Sequence, residues 1–133
     1  MCFAFVLKTK REVVTTADAP KAIGPYSQAI KTDDYIFVSG QIALKPNGEF
    51  DTSSIEAETK QVMENIHAII KASGATMEQI VKSTIYTTDL KNYSKINSVY
   101  GSYFHRDPPA RETVEVKNLP KNAHVEISVL AVK

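Results

Sequence analysis

The sequence contains very little cysteine. Its only cysteine is Cys2, which excludes a disulfide within the chain and a zinc site made of cysteines. A chain without disulfides is typical of a reducing compartment, so we expect a cytoplasmic location, with the mitochondrion as the alternative. The opening MCFAFVLKTKR has its apolar residues before its basic ones, the reverse of a secretory signal, and its apolar run is too short to span a membrane. We interpret residues 1–10 as an N-terminal extension and residues 11–133 as a single domain.

An excess of one charge is also absent. Lysine and arginine number 16 and acidic residues 15, and both signs are scattered along the chain. A dedicated nucleic-acid or membrane binder would concentrate basic residues in a stripe or a run. The composition therefore argues against both kinds of partner and favours small, roughly neutral ligands.

Several catalytic patterns are missing as well. His67, His105 and His124 lack the spacing of metal ligands, which argues against a metal site. No serine lies in a GxSxG motif, and the five glycines are isolated from one another, so neither a hydrolase elbow nor a glycine-rich phosphate loop is predicted.

The sequence does contain a regular succession of strand and helix patterns. β-Branched and aromatic residues predict strands at residues 11–16, 80–88, 111–116 and 124–132, and an antiparallel hairpin of two more strands within residues 26–44. Ser53 and Glu56 form a capping box at the start of a first helix, and Gly74 ends it. A second amphipathic helix is marked by Tyr93, Ile96, Tyr100 and Phe104. This order predicts an α+β fold, a mixed six-stranded sheet with two helices on one face.

The second face of this sheet also carries apolar residues. In YIFVSG, Tyr35 and Phe37 point to one face, whereas Ile36 and Val38 point to the other. A sheet covered on one side only should alternate apolar and polar residues. Another copy of the same chain is the usual cover for such a face, so we expect a symmetric homo-oligomer.

An arginine interrupts the apolar pattern of the PARETVEV segment. If Val114 faces the helices, strict alternation puts Arg111 on the opposite face, and the same counting puts Glu126 of the last strand on that face too. A buried arginine needs a partner because its charge is costly to desolvate. Two interpretations stay open: a salt bridge between Arg111 and Glu126 that holds the oligomer together, or a guanidinium that binds a ligand carboxylate bidentately.

Five motifs resemble the RidA (YjgF) family of enamine/imine deaminases, in the right order and over nearly the whole chain. They are APKAIGPYSQAI (19–30), FVSGQIAL (37–44), TDLKNYSKINSVYGSYF (88–104), PARETVEV (109–116) and LPKNAHVEISVLAV (119–132). The resemblance implies a chorismate-mutase-like subunit in a homotrimer with a central barrel and three pockets between adjacent subunits. It implies hydrolysis of reactive 2-imino acids, formed from enamines such as 2-aminoacrylate, to 2-keto acids and ammonia, with neither a metal nor an organic cofactor.

The resemblance also assigns roles to individual residues. Arg111 of the PAR motif would grip the substrate carboxylate, and Glu126 of the VEI motif would hold the attacking water. Tyr26 of GPYSQ and Asn97 of INSVY would line the pocket, and the backbone at Gly40 of SGQ would contact the substrate. These last three also have interpretations without function, as a core aromatic, an exposed helical residue and a tight backbone turn respectively.

Three positions near the arginine depart from the family pattern. Thr113 stands where many members have a cysteine, Glu112 where a small residue is usual, and Pro108 where an aromatic residue often precedes PAR. The Thr113 hydroxyl can still contact water or the imine nitrogen, so we count it among the substrate-binding residues, whereas thiol chemistry is excluded there. The departures leave an alternative function, a non-catalytic trimer that binds small carboxylates or other proteins.

Overall fold

The computed structural model describes residues 10–133. The predicted N-terminal extension therefore lies outside the described residues, apart from Lys10, and so does Cys2. The strands are β1 (Glu12–Val14), β2 (Ala29–Lys31), β3 (Tyr35–Gln41), β4 (Ile80–Thr87), β5 (Ala110–Glu115) and β6 (Val125–Val132), and the helices are α1 (Ile55–Ala72) and α2 (Tyr93–Gly101). Within this part of the chain, no helix is both long enough and apolar enough to cross a membrane.

The six strands form one sheet in the order β1-β2-β3-β6-β4-β5. Neighbouring strands are antiparallel except β4 and β5, which are parallel. Parallel pairing needs a long crossover connection, and α2 lies within it. The helix α1 packs against β3 and β6, and α2 packs against α1, so both helices cover the same face. The predicted mixed six-stranded sheet with two helices on one face is confirmed.

The core lies between α1 and the sheet. The apolar stripe of the helix packs on every second residue of the central strands, and these side chains are fully buried. They are Val62, Met63, Ile66, Ile69 and Ile70 of α1 with Ile36, Ile85 and Ile127 of the strands. Each such side chain contributes roughly 1.5–3 kcal/mol on burial, so a register slip of one residue, which would turn the strand residues away from α1, is strongly disfavoured.

The first helix begins one residue later than the sequence pattern predicts. Ser54 is the N-cap, and its Oγ accepts a hydrogen bond from the Ala57 N–H at 3.1 Å. Ser53, the predicted cap, instead donates to a carboxylate oxygen of Asp51 at 2.8 Å, so that prediction is wrong by one position. Gly74 follows the helix as predicted, with a φ of +82° that residues carrying a Cβ rarely adopt.

The other face of the sheet is uncovered in the single chain. Tyr35 and Phe37 of β3 are 46% and 48% exposed, and Val114 of β5 is 42% exposed. The prediction of an apolar second face is confirmed. Its burial by further copies of the chain stays a prediction.

Candidate functional site

Glu126 projects from β6 onto the uncovered face of the sheet. Its neighbours along the strand, Val125 and Ile127, are fully buried on the helix side, so alternation turns Glu126 the other way. Its cross-strand partner is Tyr86 of β4, which shares the uncovered face.

Gly40 lies directly against this carboxyl group. A bulge between Val38 and Gln41 of β3 places two residues opposite one residue of β6. Strict alternation from Val38 would turn position 40 toward the helices, and the extra residue turns it toward Glu126 instead. A Cβ at position 40 would lie 2.9 Å from Glu126 Cδ, closer than two such carbon atoms approach one another. Glu126 can therefore hold this position only if residue 40 is glycine.

Tyr26 forms another wall beside the same carboxyl group. Its hydroxyl oxygen accepts a hydrogen bond from the Ile23 N–H at 3.2 Å, and its side chain is 47% exposed, so Tyr26 is not a core aromatic. The buried side chain of Gln28 fixes the loop that carries Tyr26, because its amide donates to the carbonyl groups of Pro20 at 2.8 Å and Thr16 at 3.1 Å.

Tyr26, Gly40 and Glu126 line one cavity of about 290 Å³, and we call these three residues the glutamate cluster. The other walls are largely apolar and include Ile23 and Ile42. Burial raises the pKa of Glu126 above its ordinary value of 4.5. A carboxyl group whose pKa moves toward neutrality is suited to accept and return a proton.

Arg111 lies on the opposite face of the sheet from Glu126. The register of β5 with β4 pairs Arg111 with Ser83, which is buried on the helix side, and pairs Val114 with Tyr86, which shares the uncovered face with Glu126. The expectation that Arg111 and Glu126 share a face is therefore wrong, so the two side chains do not pair within one chain. A salt bridge between them that holds the oligomer together stays a prediction. The prediction of a shared face failed because it assumed that Val114 faces the helices. On the edge strand β5, Val114 is exposed and faces away from them.

Two aromatic rings of α2 contact the Arg111 side chain. The guanidinium carbon lies 5.0 Å from the centroid of the Tyr100 ring and 5.9 Å from that of Tyr93, distances at which a cation is attracted to a ring. Arg111 Nη2 also donates a hydrogen bond to the Tyr93 hydroxyl at 3.3 Å. No carboxylate within residues 10–133 forms an ion pair with Arg111, so its remaining N–H groups can bind an anion.

Asn97 and Thr113 add two buried oxygen atoms near Arg111. Asn97 lies one turn after Tyr93 on α2, and Thr113 follows Arg111 on the same face of β5. Asn97 Oδ1 and Thr113 Oγ1 have no hydrogen-bond partner among the described residues. A buried polar atom that lacks a partner costs roughly 1–3 kcal/mol, which makes both atoms candidates for ligand contacts. We call Arg111, Asn97, Thr113 and Tyr93 the arginine cluster.

The hydroxyl of Tyr93 is polarised by its neighbours. A hydrogen bond with the Asn97 side chain, and then the positive charge of Arg111, lower the pKa of Tyr93 below its ordinary value of 10.0. Both neighbours favour the phenolate because they place positive or donating groups at the phenolic oxygen. The Arg111 charge that favours the phenolate would equally favour an anion bound beside Tyr93.

The predicted site residues therefore form two clusters on opposite faces of one sheet. Sequence reasoning missed two contributors, Tyr93 and Gln28. The apolar stripe of the second helix accounts for Tyr93 without a site, although its spacing of four from Asn97 places both on one helix face. Gln28 lies inside the GPYSQ motif, but nothing in its spacing indicates that its amide holds the loop.

Of the three departures near the arginine, Glu112 lies outside both clusters. It projects onto the uncovered face, where it forms an ion pair with Lys82 and accepts a hydrogen bond from Thr84 Oγ1 at 2.9 Å. Hydrogen bonds from Lys82 and Thr84 lower the pKa of Glu112. Pro108 is exposed before β5. Within one chain, therefore, Glu112 does not pair with Arg111.

Comparisons with known proteins agree with this fold and these motifs. The family model described as Endoribonuclease L-PSP matches residues 16–133. A RutC family protein of Pyrococcus abyssi is 48% identical over 124 residues, which cover 92% of this chain and 98% of that protein. Reactive Intermediate Deaminase A, chloroplastic, of Arabidopsis thaliana is 46% identical, over 92% of this chain and 66% of that protein. The 2-iminobutanoate/2-iminopropanoate deaminase of Bos taurus is 41% identical, over 92% and 90% of the two chains.

Solved structures show the same architecture. A putative endoribonuclease of Thermotoga maritima is 45% identical with a TM-score of 0.89, covering 92% of this chain and 97% of that one. Escherichia coli TdcF with bound serine is 36% identical with a TM-score of 0.89, and the E. coli YjgF gene product is 36% identical with a TM-score of 0.88; each match covers 92% of this chain and 98% of the other. Because the family model matches residues 16–133 and these relatives and structures each cover about nine-tenths of the chain, the chain belongs to the RidA (YjgF) family, whose model is described as Endoribonuclease L-PSP.

Proposed function

We propose that this protein hydrolyses reactive 2-imino acids to 2-keto acids and ammonia. Each site would combine the glutamate cluster of one subunit with the arginine cluster of its neighbour in a homotrimer. The observation that carries the proposal is that Arg111 and Glu126 lie on opposite faces of the sheet. Each side chain also has hydrogen-bonding atoms that no described residue uses. One chain cannot bring them to the same substrate, whereas two adjacent chains of the proposed trimer would.

The arginine cluster would bind and orient the substrate. The Arg111 guanidinium can bind a carboxylate through two parallel N–H groups, a geometry that lysine cannot provide. The aromatic rings of Tyr93 and Tyr100 restrict the guanidinium before the substrate arrives. A fixed carboxylate presents the adjacent C=N carbon in one orientation, and such orientation supplies much of the acceleration of a reaction between two partners.

The glutamate cluster would carry the proton transfers. Ionised Glu126 accepts a proton from a water molecule as the water oxygen bonds to the C=N carbon, and passes this proton to the imine nitrogen to give the neutral carbinolamine. Glu126 then takes the proton of the hydroxyl group as the ketone forms, and gives it to the nitrogen, which leaves as ammonia. Water and imine are consumed, keto acid and ammonia are released, and Glu126 ends in its starting state.

The relatives support this reaction class. The Bos taurus relative is named for 2-iminobutanoate and 2-iminopropanoate, and the Arabidopsis relative for reactive intermediates. E. coli TdcF has serine bound, a small molecule with a carboxylate beside a nitrogen-bearing carbon. A ribonuclease activity, which the family description names, gains no support from the near-balanced charge of this chain.

A non-catalytic binder of small carboxylates is the second candidate. Burial favours the protonated form of Glu126, which could donate a hydrogen bond to a bound carboxylate instead of activating water. The two candidates differ in their need for ionised Glu126. A binder requires Arg111 and tolerates glutamine at position 126, whereas a deaminase requires both residues.

The test generates the imino acid in place, with a threonine dehydratase or an amino-acid oxidase, and measures keto-acid release. The wild-type protein should accelerate release, and Glu126→Gln should lower the rate by roughly 10²–10⁴-fold, the usual contribution of a general base. Arg111→Lys should raise KM because it removes the bidentate contact. Arg106→Lys and Glu49→Gln, changes of the same kind at exposed positions, serve as controls. Full activity of either site variant would contradict the role given to that residue.

A further inference from the structure

The hydroxyl of Tyr93 is the polar atom of the arginine cluster that directly contacts the Arg111 guanidinium. Arg111 Nη2 donates to it at 3.3 Å, and the side chain of Tyr93 is 42% exposed. Tyr93 therefore borders the surface at which a carboxylate would meet Arg111. The identity of the ligand as a small carboxylate rests on the proposed function.

The hydrogen-bonding capacity of a phenol decides what this hydroxyl can still do. A tyrosine hydroxyl has one hydrogen to donate and accepts through its oxygen. The Tyr93 oxygen accepts from Arg111, and arginine has only donors, so this contact leaves the hydroxyl hydrogen of Tyr93 unused. Asn97 Oδ1, one turn later on α2, has no hydrogen-bond partner within residues 10–133 and so does not accept this hydrogen.

Two other tyrosines near α2 differ from Tyr93 in this respect. The Tyr100 hydroxyl donates to Ser83 Oγ at 2.9 Å in the buried interior. The Tyr103 hydroxyl donates to Glu64 Oε1 at 2.6 Å on the outer side of the helices. Both hydroxyl groups thus donate within the chain, whereas that of Tyr93 donates to no acceptor among the described residues.

We propose that Tyr93 is a second anchor for the ligand carboxylate. Arg111 binds the carboxylate through its N–H groups, and the Tyr93 O–H donates to the carboxylate oxygen on the Nη2 side. The two donors already contact each other, so a single anion satisfies both without moving either side chain. This makes Tyr93 a ligand-binding residue rather than only a packing partner of the arginine.

The test measures binding of a stable probe by calorimetry, so that it does not depend on turnover. The probes are 2-oxobutanoate, which has the carboxylate, and 2-oxobutanamide, which replaces it by a neutral amide. Tyr93→Phe keeps the ring over Arg111 and removes only the hydroxyl. Its affinity for 2-oxobutanoate should fall roughly tenfold or more, as expected for a lost hydrogen bond to a charged group, with little change for 2-oxobutanamide. Tyr103→Phe is the matched control and should bind both probes like the wild type.

The outcomes separate this inference from the proposed function. If Arg111→Ala weakens 2-oxobutanoate binding and Tyr93→Phe does not, the anchor role is overturned while the proposed site stands. An equal loss for the carboxylate and the amide would also overturn it, because it would show that Tyr93 only shapes the pocket. If wild type binds 2-oxobutanoate with the predicted dependence on Tyr93 but releases no keto acid from an imine, the anchor role holds and the deaminase proposal fails. No binding by the wild type would overturn the anchor role, and keto-acid release from an imine would then decide the deaminase proposal by itself.

Discussion

The glutamate cluster and the arginine cluster differ in what surrounds their charged groups. Glu126 lies in a largely apolar cavity, against the backbone of Gly40, and burial raises its pKa. Arg111 lies on an edge strand between aromatic rings and hydroxyl groups, with donors still free. Burial thus shifts the Glu126 carboxyl group toward its protonated form relative to an exposed glutamate, whereas Arg111 keeps donors free for an anion.

Under the proposed function, the difference explains why each chain would hold two incomplete sites. Neighbouring residues along a strand point to opposite faces, and residues paired across β6, β4 and β5 share a face. Glu126 and Arg111 therefore cannot meet within one sheet, however the side chains rotate. We propose that a second copy brings its own arginine cluster to the apolar uncovered face beside the glutamate cluster.

The strongest test of this division is complementation between two inactive variants. Arg111→Ala and Glu126→Gln chains should each be nearly inactive alone. When the two are coexpressed and form mixed trimers, a subunit that keeps Glu126 can lie beside one that keeps Arg111. About a quarter of the sites in randomly mixed trimers then have both residues, so keto-acid release should return to about a quarter of the wild-type rate.

The control for complementation is a mixture of the two variants purified separately and combined without exchange of subunits. It should stay inactive. Coexpressed trimers that are no more active than either parent would show that both residues act within one subunit, and the two-cluster arrangement would be wrong.

Gly40→Ala tests the glutamate cluster alone. The added Cβ would lie 2.9 Å from Glu126 Cδ and must displace the carboxyl group. Because the displaced atoms are the end of a flexible side chain, the melting temperature should change little. The keto-acid release rate should fall roughly 10- to 100-fold, since small misplacements of a reacting group are costly. Gly101→Ala, where an added Cβ meets nothing within 4 Å, is the control. If it lowered the keto-acid release rate equally, displacement of the Glu126 carboxyl group could not explain the effect of Gly40→Ala.

The order of the elements and the face covered by α1 could be predicted because burial imposes periodicity. Ile66 and Ile70 of the helix, and Val125 and Ile127 of the last strand, recur at the spacing of their element and are all fully buried. The side of β5 that meets the helices could not be predicted in this way. An edge strand has few buried residues, and Val114 is exposed on the uncovered face.

The candidate site was predicted as a set of residues, and the arrangement of these residues could not be predicted from the sequence. The position of Gly40 depends on a bulge that shifts alternation by one residue, and a lone glycine in a strand pattern indicates a bulge without fixing its direction. The contact of Tyr93 with Arg111 joins residues 18 positions apart through the packing of α2 on β5. Such contacts arise from tertiary structure, which local patterns do not encode.

The smallest predicted effect concerns the stability of Glu126→Gln, and it reports whether the neighbouring arginine reaches this carboxyl group. Burial raises the folded-state pKa of Glu126, so folding favours the protonated form, and the stability that this form contributes is lost as pH rises through the raised pKa. Glutamine mimics the protonated form at every pH. In an Arg111→Ala background, Glu126→Gln should therefore raise the melting temperature at neutral pH by roughly 3 °C at most, with no difference below the unfolded-state pKa of about 4.5.

In the background that keeps Arg111, Glu126→Gln should raise the melting temperature at neutral pH by less, or should lower it. A guanidinium of the neighbouring subunit close to Glu126 would favour the ionised carboxylate and offset the effect of burial. Thermal unfolding of the four proteins of this double-mutant cycle, at neutral pH and at about pH 4, measures the coupling between the two residues. An identical gain in both backgrounds would mean that no arginine lies near Glu126 in the assembled protein, because the carboxyl group would then respond to burial alone.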